Sequence, residues 1–233
     1  MPFVSRNVLE DKSAWDELAP FGIKMVPVVT RGLEWANGQI LRDVARVAGV
    51  TLGEQTMLAP AELARRIDII LTAEQRFFGQ MPEAKMQGQV PGRPRSFANL
   101  AWHTFNVIDA WLELVVDGRP LILGAYNRNA PKGAERQADI LAYGADVQKR
   151  FNAWWQTQGP HLDYDDTADV YYGEQSLHDF LERTTWHAGQ HTRQMMMILE
   201  TFMAIAPKDP LGPEMWKDLP MPEKVWDDEK PIA

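Results

Sequence analysis

The sequence contains no cysteine among its 233 residues. The chain therefore forms no disulfide, has no cysteine-ligated metal ion and has no thiolate nucleophile of its own. These absences exclude thiol–disulfide redox chemistry by the chain itself. If the reaction uses a sulfur nucleophile, a second molecule must supply it.

Long apolar runs and positive charge are also scarce. No apolar run approaches the roughly 18 residues that a transmembrane helix needs, and the first residues lack the basic and apolar regions of a signal peptide. The chain has 24 Lys and Arg against 32 Asp and Glu, which does not favour binding to a phosphate backbone. The short basic clusters Arg65–Arg66 and Arg93/Arg95 are interpreted as solvated surface. We expect a cytoplasmic protein with a small-molecule substrate, no membrane partner and no nucleic-acid partner.

The chain has enough apolar residues, 45% of the total, to build a sizeable core. Their periodicity predicts four long helices, at residues 61–80, 97–116, 134–158 and 177–200. Ser96 and Ser176 stand where N-caps of the second and fourth helices are expected. We interpret the acidic segment between the third and fourth helices, residues 159–175, as a solvated rim.

These helices predict a mainly α fold in three parts. The central part is a four-helix bundle at residues 60–205. A small α/β lobe at residues 1–52 precedes it, joined by a linker at Thr51–Pro60. An extended, proline-rich tail at residues 206–233 follows and packs on the bundle through its aromatic side chains.

The N-terminal lobe is predicted to have the order βαββα. Its elements follow from β-branched runs, a turn at Gly32 and a helix end at Gly49. They are a strand at Phe3–Val8, a helix at Lys12–Leu18, strands at Met25–Thr30 and Glu34–Ala36, and a helix at Gln39–Ala48.

Two histidines on the fourth helix are the strongest chemical signal. His187 and His191 are four residues apart, so both imidazoles lie on one face of the helix and can hold one metal ion. Gln194 lies on the same face, whereas the spacing of His178 places it elsewhere. His103, on the second helix, is the candidate third ligand; the alternative is that it is a core histidine.

Three histidines and an open position make the pattern of a catalytic metal site. Neutral imidazoles suit Zn²⁺, and equally Ni²⁺, Co²⁺ or Fe²⁺. The predicted metal ligands are thus His103, His187 and His191, and Gln194 is expected to orient a ligand or a bound water.

The segments RSFANLAWHTFNVIDAWL and LHDFLERTTWHAGQHTRQ resemble the DinB-like superfamily of metal-binding four-helix bundles. The resemblance covers about residues 60–205. It places His103, His187 and His191 on the ligand positions of that family and Gln194 on its glutamine. It implies one divalent metal ion and, in the family's enzymes, a low-molecular-weight thiol held as a thiolate for S-transfer or isomerisation.

The N-terminal segments FVSRNVLEDKSAWDEL and MVPVVTRGLEWANGQILRDVARVAGV resemble the second half of a glutaredoxin-like thioredoxin fold. The resemblance implies a cis proline in the pair Val26 and Pro27 and glutathione contacts from these residues and from Gly38 and Gln39. The family's cysteine motif is absent from the sequence. The lobe therefore either binds glutathione or has a structural role, and its incomplete sheet favours a homodimer.

These observations lead to a functional hypothesis and two alternatives. The hypothesis is a metal-dependent, glutathione-using transferase or cis–trans isomerase that acts on a small electrophile. One alternative is a metal-hydroxide hydrolase with Asp109, Glu182 or Glu200 as the general base. The other is a non-enzymatic, metal-binding dimeric stress protein, so enzymatic activity is a hypothesis at this stage.

Overall fold

The computed structural model describes residues 3–8, 10–51 and 57–226. These residues form two compact units, one on each side of the gap at 52–56. The described part of the chain is mainly helical, with 54% of its residues in helices. None of the helices in the described ranges combines the length and the apolar character needed to cross a membrane. The division into three domains stays a prediction, and half of the predicted linker, 52–56, lies outside the described residues.

The described residues of the N-terminal unit form two α-helices and one hairpin. Helix α1 spans Ser13–Leu18 and α2 spans Leu41–Ala48. Strands β1 (Val28–Arg31) and β2 (Glu34–Asn37) pair antiparallel, with Val28 opposite Asn37. Gly49 has a left-handed conformation (φ 69°), which most other residues adopt only with strain, and it ends α2 as predicted.

The predicted first strand of this unit, Phe3–Val8, is wrong. These residues have no strand partner in the described part of the chain, and Phe3 and Val4 are 86% and 83% exposed. A lone apolar segment without a neighbour to share its backbone hydrogen bonds does not form a sheet. The observed order is αββα.

Four long helices pack against one another in the second unit, which we call the helical unit (residues 57–226). They are α3 (Pro60–Gln80), α4 (Phe97–Val115), α6 (Gln137–Thr157) and α7 (Leu177–Met203). Helix α3 contacts the other three, and α4 also contacts α6 and α7. Large side chains that are fully buried fill the space between them, among them Phe77, Phe105, Trp111, Phe151 and Phe180.

Two predicted caps fix where α4 and α7 begin. The Ser96 hydroxyl accepts a hydrogen bond from the N–H of Asn99 at 3.2 Å, and the Ser176 hydroxyl accepts one from the N–H of Asp179 at 3.0 Å. Each bond satisfies an N–H that the helix itself leaves without a partner. Fixing the starts of these helices also fixes the depth of the histidines they carry.

The connections hold more structure than the sequence predicted. A short helix, α5 (Leu123–Tyr126), lies between α4 and α6. The segment interpreted as a solvated rim contains a hairpin, β3 (Thr167–Val170) paired with β4 (Gly173–Ser176). This hairpin leads directly into α7.

The tail packs on the helices up to residue 226, the last residue described; 227–233 of the predicted tail lie outside the described residues. The interpretation of Arg66 as solvated surface is wrong, because it is only 6% exposed and donates to the carbonyls of Met215 and Lys217 at 3.1 and 2.6 Å. Trp216 lies against Gly189 of α7, where an added Cβ would stand 2.9 Å from its ring. The tail therefore covers the helix that carries two of the histidines.

Candidate metal centre

The Nε2 atoms of three histidines converge inside the helical unit. His187 Nε2 lies 3.3 Å from His103 Nε2 and 3.0 Å from His191 Nε2. All three candidate ligand atoms lie within 4.8 Å of one another. Helices α4 and α7 thus bring together the three residues that the sequence selected.

These distances fit a metal ion. For a metal–nitrogen distance of about 2.0–2.1 Å, neighbouring ligands of a tetrahedral or octahedral site lie roughly 2.8–3.4 Å apart. Both measured nitrogen–nitrogen distances fall in that range. A histidine triad with this geometry can hold one metal ion.

The side chain of Gln194 determines which nitrogen of His191 is free to bind. His191 Nδ1 lies 2.7 Å from Gln194 Oε1, and Gln194 Nε2 donates to the carbonyl of Val225 at 3.1 Å. Because the amide nitrogen faces a carbonyl, the amide oxygen must face the ring, and Nδ1 of His191 must carry the proton. The lone pair of His191 is then on Nε2, the atom that points at the other two rings.

Burial keeps the three imidazoles neutral. It lowers the pKa of His103 and His187 well below the ordinary value of 6.5, and it lowers the pKa of His191 to about 4. The positive charge of Arg95 acts in the same direction on all three. Neutral imidazole is the form that binds a metal ion.

Tyr126 packs against the histidines from the α5 side. Its ring centroid lies 5.7 Å from that of His103 and 5.5 Å from that of His187. Its hydroxyl is buried and has no hydrogen-bond partner among the described residues. Burial raises the pKa of this hydroxyl, so it remains a donor.

Glu74 of α3 is a second buried polar group in the same interior. It is 0% exposed, and neither carboxyl oxygen has a hydrogen-bond partner in the described chain. Burial raises its pKa to about 8, although the nearby hydroxyls of Thr192 and Thr104 lower it in part. These threonines directly follow His191 and His103 in the sequence, so Glu74 lies behind the histidine triad and is uncharged near pH 7.

A cavity of about 900 Å³ adjoins the triad. His191 and Gln194 lie in its wall, together with the apolar side chains of Phe97, Leu100 and Ile198. Residues 222–226 of the tail form another wall. The volume suits a small molecule.

The loop before α4 also lines this cavity, through Arg93 and Arg95. The sequence interpretation of these two residues as solvated surface is therefore wrong. The guanidinium of Arg93 lies 5.2 Å from the ring centroid of Trp226, so this cation packs on the tail.

Other residues considered from the sequence lie elsewhere. His178 is outside the triad, as predicted, and its Nε2 lies 2.8 Å from the carbonyl of Leu58. Asp109 accepts hydrogen bonds from the Tyr143 hydroxyl and from Arg150, both at 2.7 Å. None of the three candidate general bases of the hydrolase hypothesis, Asp109, Glu182 and Glu200, lines the cavity.

The predicted glutathione contacts all lie in the N-terminal unit. The Val26–Pro27 peptide bond is cis. The N–H of Gly38 donates to the carbonyl of Pro27 at 2.8 Å, and the N–H of Gln39 donates to Oδ1 of Asn37 at 3.0 Å. The structure therefore brings Pro27 and Gly38 together.

Three residues of the site region were not selected from the sequence: Glu74, Arg95 and Tyr126. Only Glu74 carried a sequence signal, because it is an ionisable residue on the apolar stripe of α3 that contains Ile67, Ile70 and Phe78. The other two lie in connections whose path the helix pattern does not define.

Together these features define a class, helical proteins with a buried histidine triad that can hold a metal ion. Residues 70–195 match the family model of the DinB superfamily. The match includes all three histidines and covers more than half of the chain, so the chain belongs to the DinB superfamily. Comparisons with curated proteins and with solved structures find no match.

Proposed function

We propose that the protein binds one divalent metal ion through His103, His187 and His191, inside a four-helix bundle formed by α3, α4, α6 and α7. The convergence of three Nε2 atoms at distances of 3.0 and 3.3 Å carries the proposal. Zinc is the ion we expect first, and nickel, cobalt and iron suit the same ligands.

The reaction that we propose is transfer to, or isomerisation of, a small electrophile, with a low-molecular-weight thiol as co-substrate. A divalent ion bound at the triad would lower the pKa of a thiol and supply a thiolate at neutral pH. The absence of cysteine supports an external thiol, and the adjoining cavity of about 900 Å³ has room for small ligands. Gln194 holds His191 in the tautomer that such a site requires.

Glutathione is the thiol that we propose, bound by Val26, Pro27, Gly38 and Gln39 of a glutaredoxin-like N-terminal lobe. The hydrogen bond between Gly38 and Pro27 supports this proposal, since it brings the two halves of the predicted contact set together. A cytoplasmic location and a homodimer belong to the same proposal. The hydrolase alternative has less support, because its candidate bases do not line the cavity.

Metal analysis of the purified chain tests the centre itself. We expect about one ion per chain in the wild type and a large loss in His187→Ala, since two ligands hold a metal ion much more weakly than three. His178→Ala is the matched control, because this histidine lies on the same helix but outside the triad. Equal metal content in the wild type and His187→Ala would overturn the metal centre.

Thermal unfolding of the metal-loaded chain tests the thiol. A ligand that binds only the folded state raises the midpoint. We expect glutathione to raise it in the wild type and to raise it less in Gln39→Ala. An unchanged midpoint of the metal-loaded wild type, with glutathione at millimolar concentration, would remove glutathione from the proposal.

A further inference from the structure

Arg95 is a cation in the wall of the cavity that the histidine triad adjoins. It lies directly before the N-cap of α4 and lines the cavity together with His191 and Gln194. Its Nη2 donates to Oδ1 of Asn127 at 3.1 Å, which is its only hydrogen bond in the described chain. Most of the donor capacity of this guanidinium is therefore available to a ligand.

Among the described residues Arg95 has no counter-ion, whereas several other arginines of the helical unit do. Three of these are each paired with a carboxylate at 2.7–2.8 Å: Arg66 with Glu62, Arg128 with Glu113 and Arg150 with Asp109. Arg95 forms no ion pair with any carboxylate in the described ranges. Burial lowers its pKa, so the charge is held in surroundings that disfavour it. An anionic ligand would offset that cost.

Tyr126 supplies a second donor without a partner near Arg95. Its hydroxyl is buried and makes no hydrogen bond within the described residues, and Tyr126 is 2% exposed. Arg95 Nη2 donates to Asn127, the residue that follows Tyr126, but Tyr126 does not line the cavity. A carboxylate in the cavity would therefore meet the guanidinium of Arg95, which can donate two hydrogen bonds to it in one plane.

Phe97, Leu100 and Ile198 give the cavity an apolar surface, and its wall also includes the charged residues Arg93, Glu223 and Lys224. A ligand that suits both the guanidinium of Arg95 and the apolar side chains has an anionic end and a short carbon skeleton. We infer that the site takes a small organic acid whose carboxylate is bound by Arg95 while its other end reaches the histidine triad. This inference rests on the proposed function, and the carboxylate belongs either to the thiol co-substrate or to the electrophile.

A matched pair of thiols tests the inference on the full chain loaded with Co²⁺, whose thiolate complexes absorb in the near ultraviolet. 3-Mercaptopropionate and 3-mercaptopropanamide differ only in the charge of one end. We expect the wild type to bind the acid about tenfold more tightly than the amide, as one charge-assisted contact allows. Equal affinity of the wild type for both thiols would overturn the inference.

Variants of the loop before α4 assign the preference to one residue. In Arg95→Gln we expect the acid and the amide to bind equally, and Arg95→Lys should restore part of the preference, since it returns the charge without the planar fork. Arg93→Gln is the matched control, because Arg93 lines the same cavity but packs on Trp226. A preference that survives in Arg95→Gln, or that is lost in Arg93→Gln alone, would overturn the role of Arg95.

Two further measurements separate this inference from the proposed function. Butyrate should raise the melting midpoint of the metal-free wild type, butyramide should not, and Arg95→Gln should abolish the effect. If no thiol yields a thiolate–Co²⁺ band but butyrate still acts through Arg95, the thiol chemistry fails and the acid site stands. If the butyrate effect persists in Arg95→Gln, the acid site fails.

A comparison of the affinities for glutathione and for its diethyl ester shows whether the carboxylate belongs to the thiol or to the second substrate. If the wild type prefers glutathione and Arg95→Gln does not, Arg95 binds a carboxylate of the thiol. If Arg95→Gln binds glutathione as the wild type does but no longer responds to butyrate, Arg95 binds the second substrate. Both results support the inference, and a variant that retains both responses would overturn it.

Discussion

Two polar groups share the interior of the helical unit, the histidine triad and the carboxyl group of Glu74. Helices α4 and α7 contribute to both, since Thr104 and Thr192 near Glu74 directly follow His103 and His191. The triad adjoins a cavity, its nitrogens face one another, and Gln194 orients one of its rings. Glu74 is completely buried and has no hydrogen-bond partner among the described residues.

The triad and Glu74 differ in what can offset the cost of their burial. The triad can be satisfied by a metal ion that enters from outside, so its burial serves binding. Glu74 can reduce the cost of its burial only by keeping its proton, so its burial acts on stability. The helical unit thus holds one polar group that can bind a ligand, the histidine triad, and one whose protonation depends on pH, the carboxyl group of Glu74. The following predictions test that distinction, from the largest expected effect to the smallest.

The largest effect is expected from Glu74→Gln at alkaline pH. The pKa of Glu74 is about 8 in the folded chain and 4.5 ordinarily. The folded state therefore binds more protons between these values, and stability falls as pH rises, by up to about 1.4 kcal/mol per pH unit. The variant should lose this slope and become more stable than the wild type, by a few kcal/mol near pH 8. Urea unfolding of chelator-treated protein at several pH values measures the free energy of unfolding of both proteins.

The histidines provide an internal check on this measurement. Their pKa values are lowered in the folded chain, so in metal-free protein they make stability rise with pH, and this slope fades only about one pH unit above 6.5. The histidines contribute equally to the wild type and to Glu74→Gln, so the difference in slope between the two proteins isolates Glu74. If the wild type and Glu74→Gln show the same slope, Glu74 is not the buried neutral acid described above.

The second effect is expected from Gln194→Ala. Loss of the hydrogen bond to His191 Nδ1 frees the ring and its tautomer, and such changes lower metal affinity about 10- to 100-fold. Gln190→Ala is the matched control, because Gln190 donates to the same carbonyl of Val225 but forms no hydrogen bond with a histidine of the described chain. Competition with a chromophoric chelator measures both affinities. An equal loss in the two variants would show that the tail, rather than the contact with His191, supports the site.

The smallest effect is expected from a pair of threonine variants on α7. Thr184 and Thr192 are both 0% exposed, but the Thr184 hydroxyl has no partner among the described residues, whereas the Thr192 hydroxyl donates to the Ala188 carbonyl at 3.2 Å. Thr184→Val should be neutral or stabilise by up to about 1 kcal/mol, and Thr192→Val should destabilise by about 1 kcal/mol. Thermal unfolding compares the two, and the reverse order would contradict the contrast between an unpaired Thr184 hydroxyl and a hydrogen-bonded Thr192 hydroxyl.

Residues on regular helices were predictable from the sequence. The spacing of His187 and His191 predicted a shared face, and the caps at Ser96 and Ser176 predicted where α4 and α7 begin. On a helix, the spacing of two residues determines whether their side chains lie on the same face. The triad could therefore be predicted from two helices and from the resemblance to a known superfamily.

Residues in connections were not predictable in the same way. The hairpin β3–β4 lies in a segment rich in Asp, which composition alone assigns to solvent. The sequence around Arg95 does not distinguish it from an arginine on the surface. Only the path of the loop places it in a cavity wall. In the N-terminal unit, Phe3–Val8 has the composition of a strand but no partner in the described chain, which composition cannot reveal.

The hydrogen bonds at the carbonyl of Val225 have a consequence for biosynthesis. Gln190 and Gln194 both donate to this carbonyl, and Gln194 in turn holds the ring of His191. The ribosome makes all three histidines well before it reaches Val225. A nascent chain therefore has its ligands early but acquires the support of His191 only when the tail emerges and packs. Stable metal loading during translation should accordingly follow the synthesis and packing of the segment that contains Val225.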